Sequence, residues 1–426
     1  MTGPREAAPQ RPLLLLVGSG MQTYREYLLA SISTRYDVHL FHTAEPRWEK
    51  RYLTGWTVLP STIDGPAMAA AATKLPGDTP VSGVLCWDEG RIHATAYIAE
   101  ALGLPNGDPA VIWRLRDKAQ TRAALDAAGV AQPRSVAVST VAEALAAAAG
   151  IGYPVVLKPR GLGASLGVVT VHTAEELRRM FPFTRDTQAP DPVVYSSAHP
   201  VLVEQLVTGE EISVDAVVSD GRVTPVYLAR KMVGYHPYAE EIGHVVDAGD
   251  PLLDDPVLVG ALQQTHTALG FRDGWTHTEF MLTTAGPMLI EVNGRLGGDL
   301  IPYLGRLATG VDPGLAAAAT ACGFAADLTP TRRRVAGIRF GYVDEEDTTV
   351  AEVSFDDARM PASTDRAVAV ARPGAVVSPP PKGTVWGRIA YATVVGRSAE
   401  QVRADLETAQ AALRVRKAVR EEIRSS

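Results

Sequence analysis

Near residue 200 the chain changes its hydrophobic pattern, and that change limits the folds open to it. Before it, short apolar runs alternate with helical stretches. "PLLLLVG", "YDVHLFH" and "VSGVLCW" read as strands, with "QTYREYLLASIS" and "GRIHATAYIAEALG" as the helices between them. This alternation predicts a doubly wound α/β unit over residues 1–110. "AVIWRLRDKAQTRAALDAAGVAQPRSVAV" follows as one helix ending at Gly129 and a strand beyond Pro133, then "AEALAAAAG" as a second helix. After the change, "PVLVEQLV", "EEISVDAVVSDGRVTPVYLARK" with its Asp220-Gly221 turn, and "WTHTEFMLTTAGPMLIEVNG" predict antiparallel pairs. "VGYHPYAEEIGHVVDAGDP" reads as a loop and "PVLVGALQQTHTALG" as a helix. Beyond 326, "RVAGIRFGYV", a turn at "SPPPKG", a strand at "RIAYATVVG" and a charged helix from 398 make a further α+β region. At 426 residues, two or three domains are expected.

Composition removes several classes of function. A net charge of −7 gives no overall basic footprint for duplex nucleic acid. With only Cys86 and Cys322, neither a disulfide framework nor a cysteine zinc cluster can form, which suits a reducing compartment. The opening "MTGPREAAPQRPLLLLVGSG" has an apolar core of five residues, Leu13 to Val17, which suits a buried strand better than a signal peptide or a membrane span. The expectation is a cytoplasmic protein with neither a nucleic-acid nor a membrane partner. Gly18-Ser19-Gly20 lacks the third glycine of a dinucleotide fingerprint, because position 23 is Thr, and reads as a strand-to-helix turn.

Chemistry concentrates in two places. In "VVLKPRGLGASLGVVTV", Lys158 ends an apolar run before a loop with Gly161, Gly163 and Gly167. Such a loop either covers phosphates or joins a plain hairpin; it has no Gly-Lys-Ser/Thr ending and is not a P-loop. In "HTEFMLTTAGPMLIEVNGRLGGD", Glu279 and Glu291 fall on paired strands, and Asn293 shares a face with Glu291 because strand side chains have period two. These are hard oxygen ligands of the kind Mg²⁺ accepts, or else solvated strand residues; Glu291 lies in an apolar run where an unpaired carboxylate is costly. Arg295 follows by two residues, and Gly297 and Gly298 then allow close backbone approach to a ligand.

Four segments, taken in order over about residues 111–325, resemble the ATP-grasp superfamily. They are "RDKAQTRAALDAAGVAQP", "PVVLKPRGLGASLGV", "VLVEQLVTGEEISVD" and the Glu-x-Asn-x-Arg ending of the metal-ligand segment. The resemblance implies an α/β and α+β multidomain chain. It would comprise a pre-ATP-grasp domain over 1–110, an ATP-grasp domain over 111–325 (small lobe about 118–203, large lobe about 204–325) and a C-terminal α+β lobe over 326–426. It also implies that Lys118 and Lys158 face the phosphates of ATP under Gly161, Gly163, Ser165 and Gly167. Glu204, Gln205 and Leu206 would form the adenine hinge, and Glu211, or Glu210 in its place, would bind the ribose. Glu279, Glu291 and Asn293 would hold Mg²⁺ or Mn²⁺, and Arg295 would stabilise an oxyanion. The implied reaction activates a carboxylate as an acyl phosphate, joins it to an amine and releases ADP and phosphate.

"LARKMVGYHPYAEEIGHVV" further resembles L-amino-acid ligases and carnosine-synthase-like enzymes, with Lys231 and a Glu-x-x-His element at Glu241 and His244. Ala239 stands where that subgroup has an aromatic. His244 also reads as a satisfied loop histidine, and Glu241 as a turn cap. The implied partners are small carboxylate and amine substrates of the amino-acid class, joined in dipeptide synthesis; a homodimer is left open. The alternatives are a carboxylase or nucleotide-biosynthesis ligase of the same fold, or a nucleotide-binding protein without catalysis.

Overall fold

The structure is a computed structural model that describes residues 11–77, 79–105, 107–188 and 200–418. The first ten residues of the opening segment lie outside the described residues. Strands β1 (Leu13–Val17), β2 (Asp37–His42), β3 (Gly55–Val58) and β4 (Val81–Leu85) form a parallel sheet in the order β3-β2-β1-β4. The order reverses beside β1, and in open α/β sheets the carboxyl ends of the strands at such a point face ligands. Gly18 and Gly20 both have left-handed φ, 71° and 70°, and Ser19 hydrogen-bonds Glu49 at 2.6 Å, so this stretch is the expected structural turn.

A second, antiparallel sheet holds β5 (Ser135–Val138), β6 (Val155–Pro159), β7 (Val169–Val171) and β8 (Val201–Gln205) in the order β5-β8-β6-β7. It has its own core, built from residues such as Val155, Leu157, Val203 and Phe181. Ahead of it the single helix expected up to Gly129 is two, Pro109–Arg116 and Lys118–Ala127. Asp117 makes the break. Its β-region backbone ends the first helix, and its carboxylate accepts from Ala119 and Gln120 N–H to start the second. The same carboxylate is clasped by Arg160 at 2.5 and 2.6 Å, tying this corner to the loop after Lys158.

The remaining strands are β9 (Glu210–Ser219), β10 (Arg222–Gly234), β11 (Glu240–Asp247), β12 (Gly274–Thr283), β13 (Gly286–Asn293), β14 (Val335–Gly341), β15 (Thr348–Phe355), β16 (Thr364–Ala369), β17 (Val376–Val377), β18 (Ala390–Gly396) and β19 (Leu413–Lys417). Eight of them form one sheet, β13-β12-β9-β10-β11-β14-β18-β16, and β17-β15-β19 form a small third one. Strand β11 runs through the segment read as a loop, and it joins β10 to β14. The large sheet therefore takes strands from both sides of residue 326, where the C-terminal α+β lobe was expected to begin. One apolar cluster makes the same point, since Leu28, Tyr227, Trp275, Phe340 and Tyr391 share it across all three regions. Among the described residues no helix is long and apolar enough to cross a membrane.

Candidate active site

The segment around Lys158 is a hairpin whose loop faces a cavity. β6 and β7 pair as a hairpin, and the loop between them lines a cavity of about 240 Å³ lying against the large sheet. Ala164 and Ser165 take left-handed φ of 56° and 53°, with Gly167 at 70°, a bend that non-glycine residues seldom adopt without compensation elsewhere. Gly163 and Ser165 line the cavity; Gly161 and Gly167 do not. Gly167 is needed for packing, because a Cβ there would meet Pro159 Cγ at 2.8 Å. Gly161 offers its carbonyl to Arg116 at 3.2 Å.

Lys158 and Lys118 both reach the cavity, and each rests on a carboxylate. Lys158 Nζ lies 2.5 Å from Glu204 Oε2, while Arg122 grips the same carboxylate through Nε at 2.8 Å. Burial disfavours the charge on Glu204, but Arg122 and Lys158 override it and hold its carboxyl at about 2. For Lys158, burial outweighs Glu204, with Arg122 and Lys118 also opposing its charge, and the ammonium is brought down to about 8. The lysine is thus cationic below that value and neutral above it. If it contacts nucleotide phosphates, as the resemblance implies, affinity for a non-hydrolysable ATP analogue should weaken by up to about tenfold per pH unit once the pH passes 8. Calorimetry from pH 7 to 9.5 checks this, and a flat affinity would remove Lys158 from the nucleotide's contacts. The Glu204 side chain is therefore occupied in this cation clamp, leaving any hinge contact to the backbone along Glu204, Gln205 and Leu206, all of which line the cavity.

On the opposite wall, Glu279 stands across from Glu291 and His277 across from Asn293 in the β12–β13 register. Lys118 donates to Glu291 at 3.2 Å and to the Leu162 carbonyl at 2.5 Å. In the orientation that satisfies its neighbours, the Asn293 amide nitrogen donates to Glu89 at 3.0 and 3.2 Å, which turns its oxygen away from Glu89. Glu89, four residues past β4, also pairs with Arg295 and with Arg116 at 2.5 Å. Burial alone would raise its pKa, yet Arg295 and Arg116 hold it at about 2.

Lys231 lies beneath the cavity rather than in its lining, its side chain 1% exposed. Its ammonium sits 2.8 Å from Glu211, 2.7 Å from Glu241 and 3.0 Å from Glu279. Burial opposes its charge, but the three carboxylates raise its pKa well above the ordinary lysine value. Glu279 also meets His277 Nε2 at 3.4 Å, and the other ring nitrogen lies 2.8 Å from Asp215. Burial would lower the pKa of that imidazole, but Asp215 and then Glu279 lift it to about 9. Glu211, burdened by burial and by Glu279 and Glu241, is raised although Lys231 pulls the other way.

His244 is fully buried and does not line the cavity; its Nε2 is 3.2 Å from Asp299 and 3.4 Å from Glu241. Glu241, Arg295 and Gly298 line it. Gly297 instead donates its N–H to Asp215 at 2.9 Å, and a Cβ there would meet His277 Nδ1 at 2.9 Å, so it anchors the turn. Glu89, Asp299 and Arg388 are charged groups of the site that the sequence reading did not assign. Glu89 carried one usable signal, its place just beyond a strand of a doubly wound sheet. Arg388 carried none, lying 89 positions from the Asp299 it grips.

This ensemble brings two lysines, paired carboxylates and an amide oxygen around one cavity, an arrangement able to neutralise a metal-bound polyphosphate. Residues 151–302 match the ATP-grasp domain family. The uncharacterized protein y4rH of Sinorhizobium fredii is 30% identical over 340 residues, 78% of this chain and 67% of that protein. Alanine–anticapsin ligase of Bacillus subtilis is 30% identical over 264 residues, 56% of this chain and 53% of that ligase, so the match spans about half of its length. An L-amino acid ligase from Bacillus licheniformis shares the fold, with a TM-score of 0.79 at 21% identity over 97% of this chain and 100% of that one. The chain belongs to the ATP-grasp family.

Proposed function

We propose that the chain is an ATP-dependent carboxylate–amine ligase that joins amino acids or related small molecules through an acyl phosphate, releasing ADP and phosphate. The observation that carries this reading is the mixed lining of one cavity. Lys118, Lys158, Glu279, Glu291 and Asn293 line it together with Arg295, Glu241 and Asp299. The lysines with the Glu279/Glu291/Asn293 set suit a metal-bound polyphosphate, and the Arg295 guanidinium with the Glu241 and Asp299 carboxylates suits a zwitterion. The names of the similar alanine–anticapsin and L-amino acid ligases support amino acids as the substrate class.

The two lysines would bind the terminal phosphates, and the Ala164–Ser165 bend would bring backbone N–H groups over them and exclude water. Glu211 would reach the ribose. Arg295, held at Glu89, would stabilise the oxyanion that forms when the amine attacks the activated carboxyl. Glu241 would bind an ammonium, oriented by Lys231 and His244. The donors present fit Mg²⁺, with Mn²⁺ as a substitute: Glu279, Glu291 and Asn293 would hold the metal, which supplies charge neutralisation on the phosphoryl oxygens. ADP release over a panel of amino-acid pairs tests the reading. ADP should appear only when a productive pair is present; release that depends on bicarbonate, or on no added substrate, would overturn it.

A further inference from the structure

Arg388 comes from the C-terminal hundred residues, yet it lines the cavity with a side chain only 3% exposed. It ends the single turn Thr384–Gly387 and leads into β18. Its guanidinium meets Asp299 with both terminal nitrogens, at 2.5 and 2.9 Å. The second of these also donates to the Glu241 carbonyl at 3.0 Å, and Nε donates to Tyr342 Oη at 3.0 Å. The plane lies over Phe340, 3.8 Å from the ring centre. Two segments that do not pair with one another, the start of β11 and the turn at 297–300, are thereby joined by one planar fork.

The turn needs such a tie. Asp299 and Leu300 are consecutive non-glycine residues with left-handed φ, 50° and 61°, a conformation that persists only where surrounding contacts over-determine it. Arg388 is the cation on Asp299, and His244 is its other partner, at 3.2 Å. Gly298 and Asp299 line the cavity three and four positions after Arg295, while Glu241 lines it from the other segment.

We propose that Arg388 is a positioning residue for the groups that would bind the amino acid: its fork on Asp299 and on the Glu241 carbonyl holds the left-handed turn, and so fixes Arg295 and Glu241 relative to one another. The kinetic part of this inference rests on the ligase reading; the conformational part does not. Lysine cannot replace the fork, because a single ammonium lacks the planar pair of donors that matches a carboxylate while a third hydrogen bond is made. Groups on the nucleotide side, Lys158 with Glu204 and Lys118 with Glu291, have no direct bond to Arg388 among those described.

Arg388→Lys and Asp299→Asn, made separately in the full chain, test it. Hydrogen–deuterium exchange should quicken by about tenfold or more over residues 297–303 in both variants, while the affinity of each for a non-hydrolysable ATP analogue stays within about twofold of the parent. With an active amino-acid pair, KM for an amino-acid substrate should rise about tenfold or more with a smaller change in kcat, a split that general loss of folded protein would not produce. Unchanged exchange over the turn in Arg388→Lys would overturn the proposal, and so would a loss of analogue affinity as large as the rise in KM. If no pair is ever turned over, the ligase reading fails, and exchange with analogue binding still decides whether Arg388 holds the turn.

Discussion

Replacing Glu291 with glutamine should lower ATP turnover by about 10²-fold or more while the fold survives. The substitution keeps the size of the side chain and leaves the β12–β13 ladder intact, since that ladder is made by backbone groups. What it removes is one negative charge beside Glu279 and the partner of Lys118, 3.2 Å away. On the proposed mechanism both losses fall at the same point: a hard ligand for the metal is weakened, and a phosphate-facing lysine exchanges an ion pair for a neutral amide oxygen beside the Leu162 carbonyl. Steady-state ADP release at saturating Mg²⁺ checks this. Near-normal turnover there would exclude Glu291 as a ligand.

Replacing Lys231 with methionine should destabilise the folded chain by about 3–5 kcal/mol, the range seen when one partner of a buried ion pair is removed. Glu211, Glu241 and Glu279 bring carboxylate oxygens within 4.8 Å of one another around this one ammonium. The sign with pH follows from the parent. Burial raises the pKa of Glu279, but Lys231 and His277 hold it well below the usual carboxylate value. The stability it contributes is therefore present above the unfolded value near 4.5 and is lost only as pH falls through the lower folded value. Without the lysine, Glu211, already raised by burial and by Glu279 and Glu241, loses the cation that opposes that rise and takes up a proton more readily. The variant's deficit should be large at pH 7.5 and shrink towards pH 5, where protonation relieves the repulsion. Denaturant unfolding of parent and variant at the two pH values measures it; a deficit equal at both would assign the loss to packing, not charge.

The parts of the site that were legible in the sequence are those carried by contiguous strands. In Glu279-to-Arg295 and in the Lys158 hairpin, period-two alternation decides which side chains face together, and neighbouring residues suffice to read it. Strand β11 was not legible for the opposite reason. Its polar residues Glu240, Glu241 and His244 turn towards Arg388, Lys231 and Asp299, so polar groups occupy positions that alternation would fill with apolar ones. The break at Asp117 was hidden because helical periodicity continues on both sides of it. A side chain accepting two N–H bonds and pairing with Arg160 depends on chain far away. Glu89 and Arg388 belong to the same class, since each meets partners separated from it by many residues.

The same limit applies to the large sheet. Its extension from β11 into β14 and β18 joins the expected C-terminal lobe to the expected ATP-grasp domain, and nothing local in "RVAGIRFGYV" says which strand it will pair with. That pairing is what carries Arg388 to the cavity, so the missed residue and the missed continuity have one cause.

The central claim is that the γ-phosphoryl group passes to a carboxylate. An active pair in which the carboxylate donor carries ¹⁸O in its carboxyl group tests it directly by mass spectrometry of the products. The account predicts ADP together with phosphate bearing one ¹⁸O atom, delivered when the amine displaces the acyl phosphate. Label appearing in AMP, or unlabelled phosphate formed in step with the amide product, would contradict it.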